Sequence, residues 1–279
     1  MAFDVASVKL MKPDSRGRAP NFSLSAGPAF TDPLSGESPH GRFSSAFPVM
    51  PLIVFAYKLN LSSDQRQAMV AHLPKWIDTD RFQVDAKAAG EPTKDQMRLM
   101  MQSLLAERFH LAVHYETHEM PVYALTLIKP GKWGPKLIRH ADGPPCDASA
   151  PGGPTTGPPD PSADVFPLRC ETETTWPSKN GRKVTGSRNT TMALLASMLS
   201  RIAGRPVVDQ SGITEMIDYR LEWTLEANDL LPAGVEVQPD PNPVTFVDAA
   251  RAQLGLKLQS TKAPVQSLVI DHIEWPSEN

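Results

Sequence analysis

The chain has 279 residues, of which 41% are hydrophobic and 21% charged, the balance of a globular protein long enough for two domains of ordinary size. A net charge of −3, with no basic tract, removes the electrostatic case for nucleic acid, and no apolar run reaches the roughly 18 residues that a spanning helix needs. Its 28 prolines concentrate in 130–168 and 232–243, which read as linker and loop.

In chain order, Phe3-Asp4-Val5-Ala6-Ser7-Val8 alternates as a strand does, without a signal peptide's basic and apolar segments. Residues 11–40 are rich in Pro, Gly and Ser and read as loop. A short strand over Arg42–Ala46 leads to Pro48, which suits a helix start, and an apolar helix follows to about Leu59. Ser62-Ser63-Asp64-Gln65 has the form of a capped helix N-terminus, so a second helix runs to Leu73. Arg81–Lys87 is a strand. Thr93 caps a long helix with Met97, Met100, Met101, Leu104 and Leu105 on one face, a stripe better explained as core than as a binding surface. Phe109–Tyr115 and Val122–Ile128 read as two strands around a turn at Glu119-Met120-Pro121.

After the proline-rich stretch, Arg182–Ser187 is a strand and Asn189 or Thr190 caps a helix that ends at Gly204. Pro206-Val207-Val208 starts a strand, and Met216–Leu225 is expected to be the longest one. A helix over 244–254 and two strands, Leu256–Leu258 and Val265–Ile273, finish the chain.

The two halves carry parallel landmarks. Gly41-Arg42-Phe43, the apolar run from Met50, Phe82-Gln83-Val84-Asp85, Phe109-His110-Leu111 and Pro121-Val122 make one series. Gly181-Arg182-Lys183, the run from Met192, Tyr219-Arg220-Leu221-Glu222, Leu256-Lys257-Leu258 and Pro264-Val265 answer it, at a drifting offset of about 140 residues. The expectation is an α+β protein of two similar β-α-β-β-α-β-β units produced by internal duplication, with helices packed on small sheets. The units span 1–129 and 169–279, joined by the linker 130–168. Small duplicated units of this kind bind more often than they catalyse.

Several of these landmarks are specific. Phe3-Asp4-Val5-Ala6-Ser7-Val8-Lys9, Leu105-Ala106-Glu107-Arg108-Phe109, Val113-His114-Tyr115-Glu116-Thr117 and Pro121-Val122-Tyr123-Ala124-Leu125 are four of them. Gly204-Arg205-Pro206-Val207-Val208-Asp209, Tyr219-Arg220-Leu221-Glu222-Trp223 and the ending from Ile270 to Asn279 are three more. Over nearly the whole chain they resemble a family of secreted soil-bacterial proteins, abundant in acidobacteria, with no accepted reaction. The chain departs from that pattern at Trp275, where a basic residue is expected, and in the length of its linker. The resemblance implies export through a signal peptide to the periplasm or beyond, and some relatives are fused to membrane sensor-peptidases. Each half is also weakly similar to the short N-terminal domain of secretins and TonB-dependent receptors, which contacts a protein partner.

The strongest chemical candidate is His110-x3-His114-x-Glu116-x-His118. Every second residue of a strand faces one way, so these four would share a face, with Leu111, Val113 and Tyr115 on the buried side. Imidazole with carboxylate suits a divalent metal such as Zn²⁺ or Ca²⁺, although no motif requires a cofactor; the ordinary alternative is a solvated strand face. Asp271-His272-x-Glu274 is the second candidate, for general-base chemistry, though neighbours on a strand point oppositely and Asp271 should not bond His272. Nucleophile elbows, Walker loops and dinucleotide fingerprints are absent. Cys146 and Cys170 flank the proline-rich stretch. In an oxidising compartment they would close it, contributing roughly 3 kcal/mol, and in the cytosol they would be free thiols. The disulfide is favoured, because their surroundings look too loose to bury them.

The favoured function is a periplasmic or extracellular binding module for a protein partner or small ligand, using an exposed sheet edge or a groove between the halves. The alternative is a hydrolase of small esters or lactones, metal-assisted, with His114, Glu116 and His118 or His272 activating a water.

Overall fold

A computed structural model describes residues 1–12, 18–24, 26–27, 39–143, 146, 170–171, 173–177, 182–224 and 242–276. Much of the 11–40 loop, most of the 130–168 linker and nearly all of the 232–243 loop lie outside the described residues. The elements in chain order are β1 (Val5–Leu10), β2 (Arg42–Phe47), α1 (Val49–Ala56), α2 (Ser63–Val70), α3 (Trp76–Thr79), β3 (Phe82–Lys87), α4 (Lys94–Phe109) and β4 (Ala112–Leu127). Then come β5 (Leu137–Arg139), β6 (Thr174–Pro177), β7 (Lys183–Thr190), α5 (Met192–Ala203), β8 (Val207–Asp209), β9 (Ile217–Trp223), α6 (Phe246–Ala249) and β10 (Leu256–His272). A 3₁₀ turn, His140–Asp142, follows β5, and a π-helical turn, Ala250–Leu254, extends α6. The protein is α+β, with three small sheets and six α-helices among the described residues.

The chain forms two compact units: Met1–Met120 with Lys262–Asn279, and Pro121–Thr261. In the first, β3 lies between β1 and β2, antiparallel to both, so Val84 stands opposite Val8 on one side and Ser45 on the other. Phe82, Val84 and Ala86 alternate inward with Gln83, Asp85 and Lys87 outward, as a half-buried strand requires. Both capping boxes form: Ser62 with Gln65 starts α2, and Thr93 with Gln96 starts α4. The methionine–leucine stripe of α4 is fully buried and joins Phe43, Phe55, Phe82 and Phe109 in one core. Each such side chain contributes about 1.5–3 kcal/mol relative to exposure. Lys94, 4% exposed, donates to the Gly27 carbonyl at 2.9 Å, and burial, with Arg98 beside it, pulls its amine down to about 7. Leu268, Ile270 and Ile273 return from the far end of the chain to this core, where Trp275 meets the Trp76 and Phe82 rings at 5.2 and 5.3 Å. That aromatic contact is what the departure at Trp275 provides.

In the second unit, β5, β9, β7 and β6 form an antiparallel sheet in that order. α5 buries Met192, Leu195, Met198 and Leu199, and ends at Gly204, whose φ of 66° is the left-handed conformation that glycine adopts without strain. Ser200 Oγ donates to Ala196 O and accepts the Val207 N–H, both at 2.8 Å, tying α5 to β8. β8 runs parallel to β4, Tyr123 opposite Val207. Trp223 is buried in this core, under the Lys183 ammonium at 5.7 Å from its ring.

Three expectations are corrected. The turn at Glu119-Met120-Pro121 does not form: β4 is one strand of 16 residues. The break before Val265 is likewise absent, and β10, at 17 residues, is longer than β9. A tight hairpin needs a residue at positive φ, and none occurs at 119–121 or 262–265; the fixed φ of proline suits an extended chain. The α5 cap is Thr191, whose hydroxyl accepts the Leu194 N–H at 3.3 Å, because Asn189 is held at φ 47° in a bulge and β7 continues through Thr190. Strand β5 also interrupts the start of the stretch read as linker. Strand, helix, strand, helix recurs as β2-α1-β3-α4 and β7-α5-β9-α6. The second unit nevertheless places β8 where the first has α2 and α3, and has a sheet of four strands against three, so order alone does not establish a duplication.

Candidate functional site

The first unit holds a row of imidazoles and carboxylates where the end of β10 lies beside the start of β4. The Glu274 N–H donates to Phe109 O at 2.7 Å, fixing that alignment. The alternation of β4 brings His114, Glu116 and His118 to one face. His114 Nε2 is 2.9 Å from Glu116 Oε1, and His118 Nε2 is 2.6 Å from Glu116 Oε2. Across the strands, His114 Nδ1 is 2.8 Å from Asp271 Oδ1. His110 is not part of this group: it is the left-handed C-cap of α4, φ 49°, and its nearest carboxylate is Glu274 at 4.0 Å. His272 bonds Glu274 at 2.7 Å instead of Asp271, as strand alternation requires. On the opposite face of β4, Val113 is partly buried against the core, while Tyr115 is 50% exposed instead of covered.

Every member of the row is exposed, from 43% at Glu116 to 61% at His118. The hydrogen bond to Glu116, then that to Asp271, raises the His114 pKa; the same bond, with that to His118, lowers Glu116. Both ring nitrogens of His114 thus face carboxylate oxygens, an arrangement that favours the protonated ring and occupies the positions from which it would bind a metal or take a proton.

A second cluster, unforeseen in the sequence, is built in the other unit. Asp218 on β9 is fully buried. Its Oδ1 lies 2.7 Å from His140 Nδ1 and accepts the Asn189 N–H at 2.9 Å, while Oδ2 accepts Arg188 Nε–H at 3.1 Å. Gly143 makes room for this: a Cβ there would stand 2.9 Å from Asp218 Oδ2. On its other side, His140 Nε2 is 3.4 Å from Cys146 Sγ, and Cys146 is disulfide-bonded to Cys170, their Cα atoms 5.7 Å apart. Among the described residues, His140, Cys146 and Cys170 are the group whose candidate ligand atoms all lie within 4.8 Å of one another, but bonded sulfurs offer no thiolate to a metal. The sequence carried little signal of this: Ile217–Trp223 alternates apolar and charged residues like a half-exposed strand, and only the burial of both faces shows that Asp218 must be paired.

No helix among the described residues is long and apolar enough to cross a membrane. Fold and sites define a two-unit α+β protein with a disulfide, an exposed histidine–carboxylate row and a buried aspartate–histidine pair. Over residues 50–273 the chain matches the family described as "Protein of unknown function (DUF3738)", and it belongs to that family. No curated protein and no solved structure matches it.

Proposed function

We propose that this chain is an extracytoplasmic binding module and that the exposed row of His114, Glu116, His118 and Asp271 contacts a protein partner. The observation that carries the reading is the double carboxylate clamp on His114. With both ring nitrogens bonded to carboxylates, His114 has no nitrogen turned toward a substrate or water, which counts against a hydrolase built on His114 and Glu116. Groups strung along two strands at roughly half exposure suit an extended polar contact better than a small ligand, which is ordinarily enclosed. The Cys146–Cys170 bond supports a compartment outside the cytoplasm.

The test has two arms. A photo-reactive residue at position 118, in secreting cells, should cross-link a discrete protein that, once identified and purified, binds the chain and loses affinity with Glu116→Gln. Purified protein should show no turnover of short-chain esters or acyl lactones above a denatured control. Turnover abolished both by chelator and by His114→Ala would replace this reading with the metal-assisted hydrolase.

A further inference from the structure

Asp218, His140 and Cys146 stand in the order carboxylate, imidazole, sulfur, at 2.7 and 3.4 Å. The buried Asp218 carboxylate accepts the Nδ1–H hydrogen bond and so directs Nε2 at the sulfur. Its own position is fixed by the Asn189 N–H and by Arg188. Both cysteines are half-buried, so the disulfide is not sealed from solvent. Cys170, whose Sγ lies within 4.8 Å of the same imidazole, is held by a backbone bridge to Arg188. The two sulfurs are thus inequivalent, since an imidazole contacts Cys146.

We propose that Cys146–Cys170 is an exchange-competent disulfide, opened by a dithiol that attacks Cys170 Sγ and expels Cys146 as a thiolate held by His140. In the first step a thiolate of the dithiol forms a bond to Cys170 Sγ, and the electron pair of the broken S–S bond passes to Cys146 Sγ, beside an imidazolium at His140. In the second step the dithiol's other thiolate attacks its own sulfur in the mixed disulfide. The dithiol is then oxidised to a disulfide, having lost two electrons, and Cys170 leaves as a thiolate. The dithiol's two protons end on Cys170 and on His140 Nε2. Exchange is fastest when the departing thiol is the better-stabilised thiolate, which is why the imidazole contact selects Cys170 as the sulfur attacked. His140 touches the reacting sulfur; Asp218 is a positioning residue.

The charges around His140 are Asp218 from β9, Arg188 from β7 behind that carboxylate, and on its own segment Arg139, which is 3.8 Å from Asp142 and 3.4 Å from Glu215. Arg188 offsets part of the Asp218 charge, so the pH profile reports the whole cluster.

Reaction of the intact, oxidised protein with reduced glutathione, followed by peptide mapping, should place the mixed disulfide on Cys170. Cys170→Ser leaves Cys146 free, and its thiolate absorbance near 240 nm should develop well below the ordinary thiol range of about 8.5. Cys146→Ser should leave Cys170 titrating in that ordinary range. At pH 6, iodoacetamide should then modify Cys146 about tenfold or more faster than Cys170, the factor that one unit of pKa supplies. His140→Gln should abolish the difference, and Asp218→Asn should move the Cys146 transition toward the ordinary value. An adduct on Cys146, equal titration of the two cysteines, or a difference that survives His140→Gln would each overturn the proposal. The adduct site in the unsubstituted protein decides the matter even where a substitution at the buried carboxylate prevents folding.

Discussion

Two histidines, one in each unit, are held by aspartates at nearly the same distance, His114 by Asp271 at 2.8 Å and His140 by Asp218 at 2.7 Å. Their surroundings separate them. His114 and Asp271 are close to half exposed, and water competes for every bond they make. Asp218 is fully buried, and His140 is 19% exposed. A surface pair is cheap to remake in another arrangement, which suits a contact surface. A buried one holds a single geometry and leaves an uncompensated charge when a partner is removed. Distance alone would rank the two sites equal; burial decides which one orients a neighbouring sulfur.

The contrast can be broken hardest at Asp218. Asp218→Ala removes a shared buried acceptor of Arg188, His140 and the Asn189 N–H and should cost about 3–5 kcal/mol in a denaturant titration. A loss below about 1 kcal/mol would mean that water reaches the cluster. Next comes the disulfide: replacing both Cys146 and Cys170 by serine frees a segment with a sequence separation of 24 and should cost roughly 3 kcal/mol, read as a lower urea midpoint. Thr93→Ala removes the cap of the 16-residue α4 and should cost about 1 kcal/mol, as should Thr191→Ala at α5; a cap effect confined to one unit would show that the other start is held by packing.

The smallest effect belongs to the surface pair and is a matter of pH. His114 has a raised pKa, so its contribution is complete below the ordinary value of 6.5 and is lost as pH rises through the folded value. Glu116 has a lowered one, so its contribution is present above 4.5 and is lost as pH falls through the folded value. The stability difference between the protein and His114→Ala should peak between those two folded values, fade on both sides, and shrink in about 1 M salt. A difference independent of pH would remove the charged pair from the account of this face.

Much of the fold was readable where local physics decides it. Thr93 and Gln96 mark the start of α4, and Met97, Met100, Met101, Leu104 and Leu105 mark its buried face at helical spacing. Pro121 and Pro264 misled, because proline marks turns and extended chain alike and only the absence of a positive-φ residue tells them apart. His114, Glu116 and His118 were legible as one face by strand periodicity. The Asp271 partner was not, being 157 residues away and brought there only by the pairing of strands. Asp218 hid for another reason: Ile217–Trp223 alternates apolar and charged residues as a half-exposed strand does, so Asp218 read as solvent-facing, whereas β9 is buried on both faces.

The first unit is made of Met1–Met120 and Lys262–Asn279, and Leu268, Ile270 and Ile273 complete its core. A chain emerging from a ribosome or a translocon in order therefore delivers all of Pro121–Thr261 before the earlier unit has its last strand. The unit that begins first finishes last. Until Leu268–Ile273 arrive, its half-assembled core stays open to holdases and proteases, and a truncation before Leu268 would be felt at the other end of the sequence.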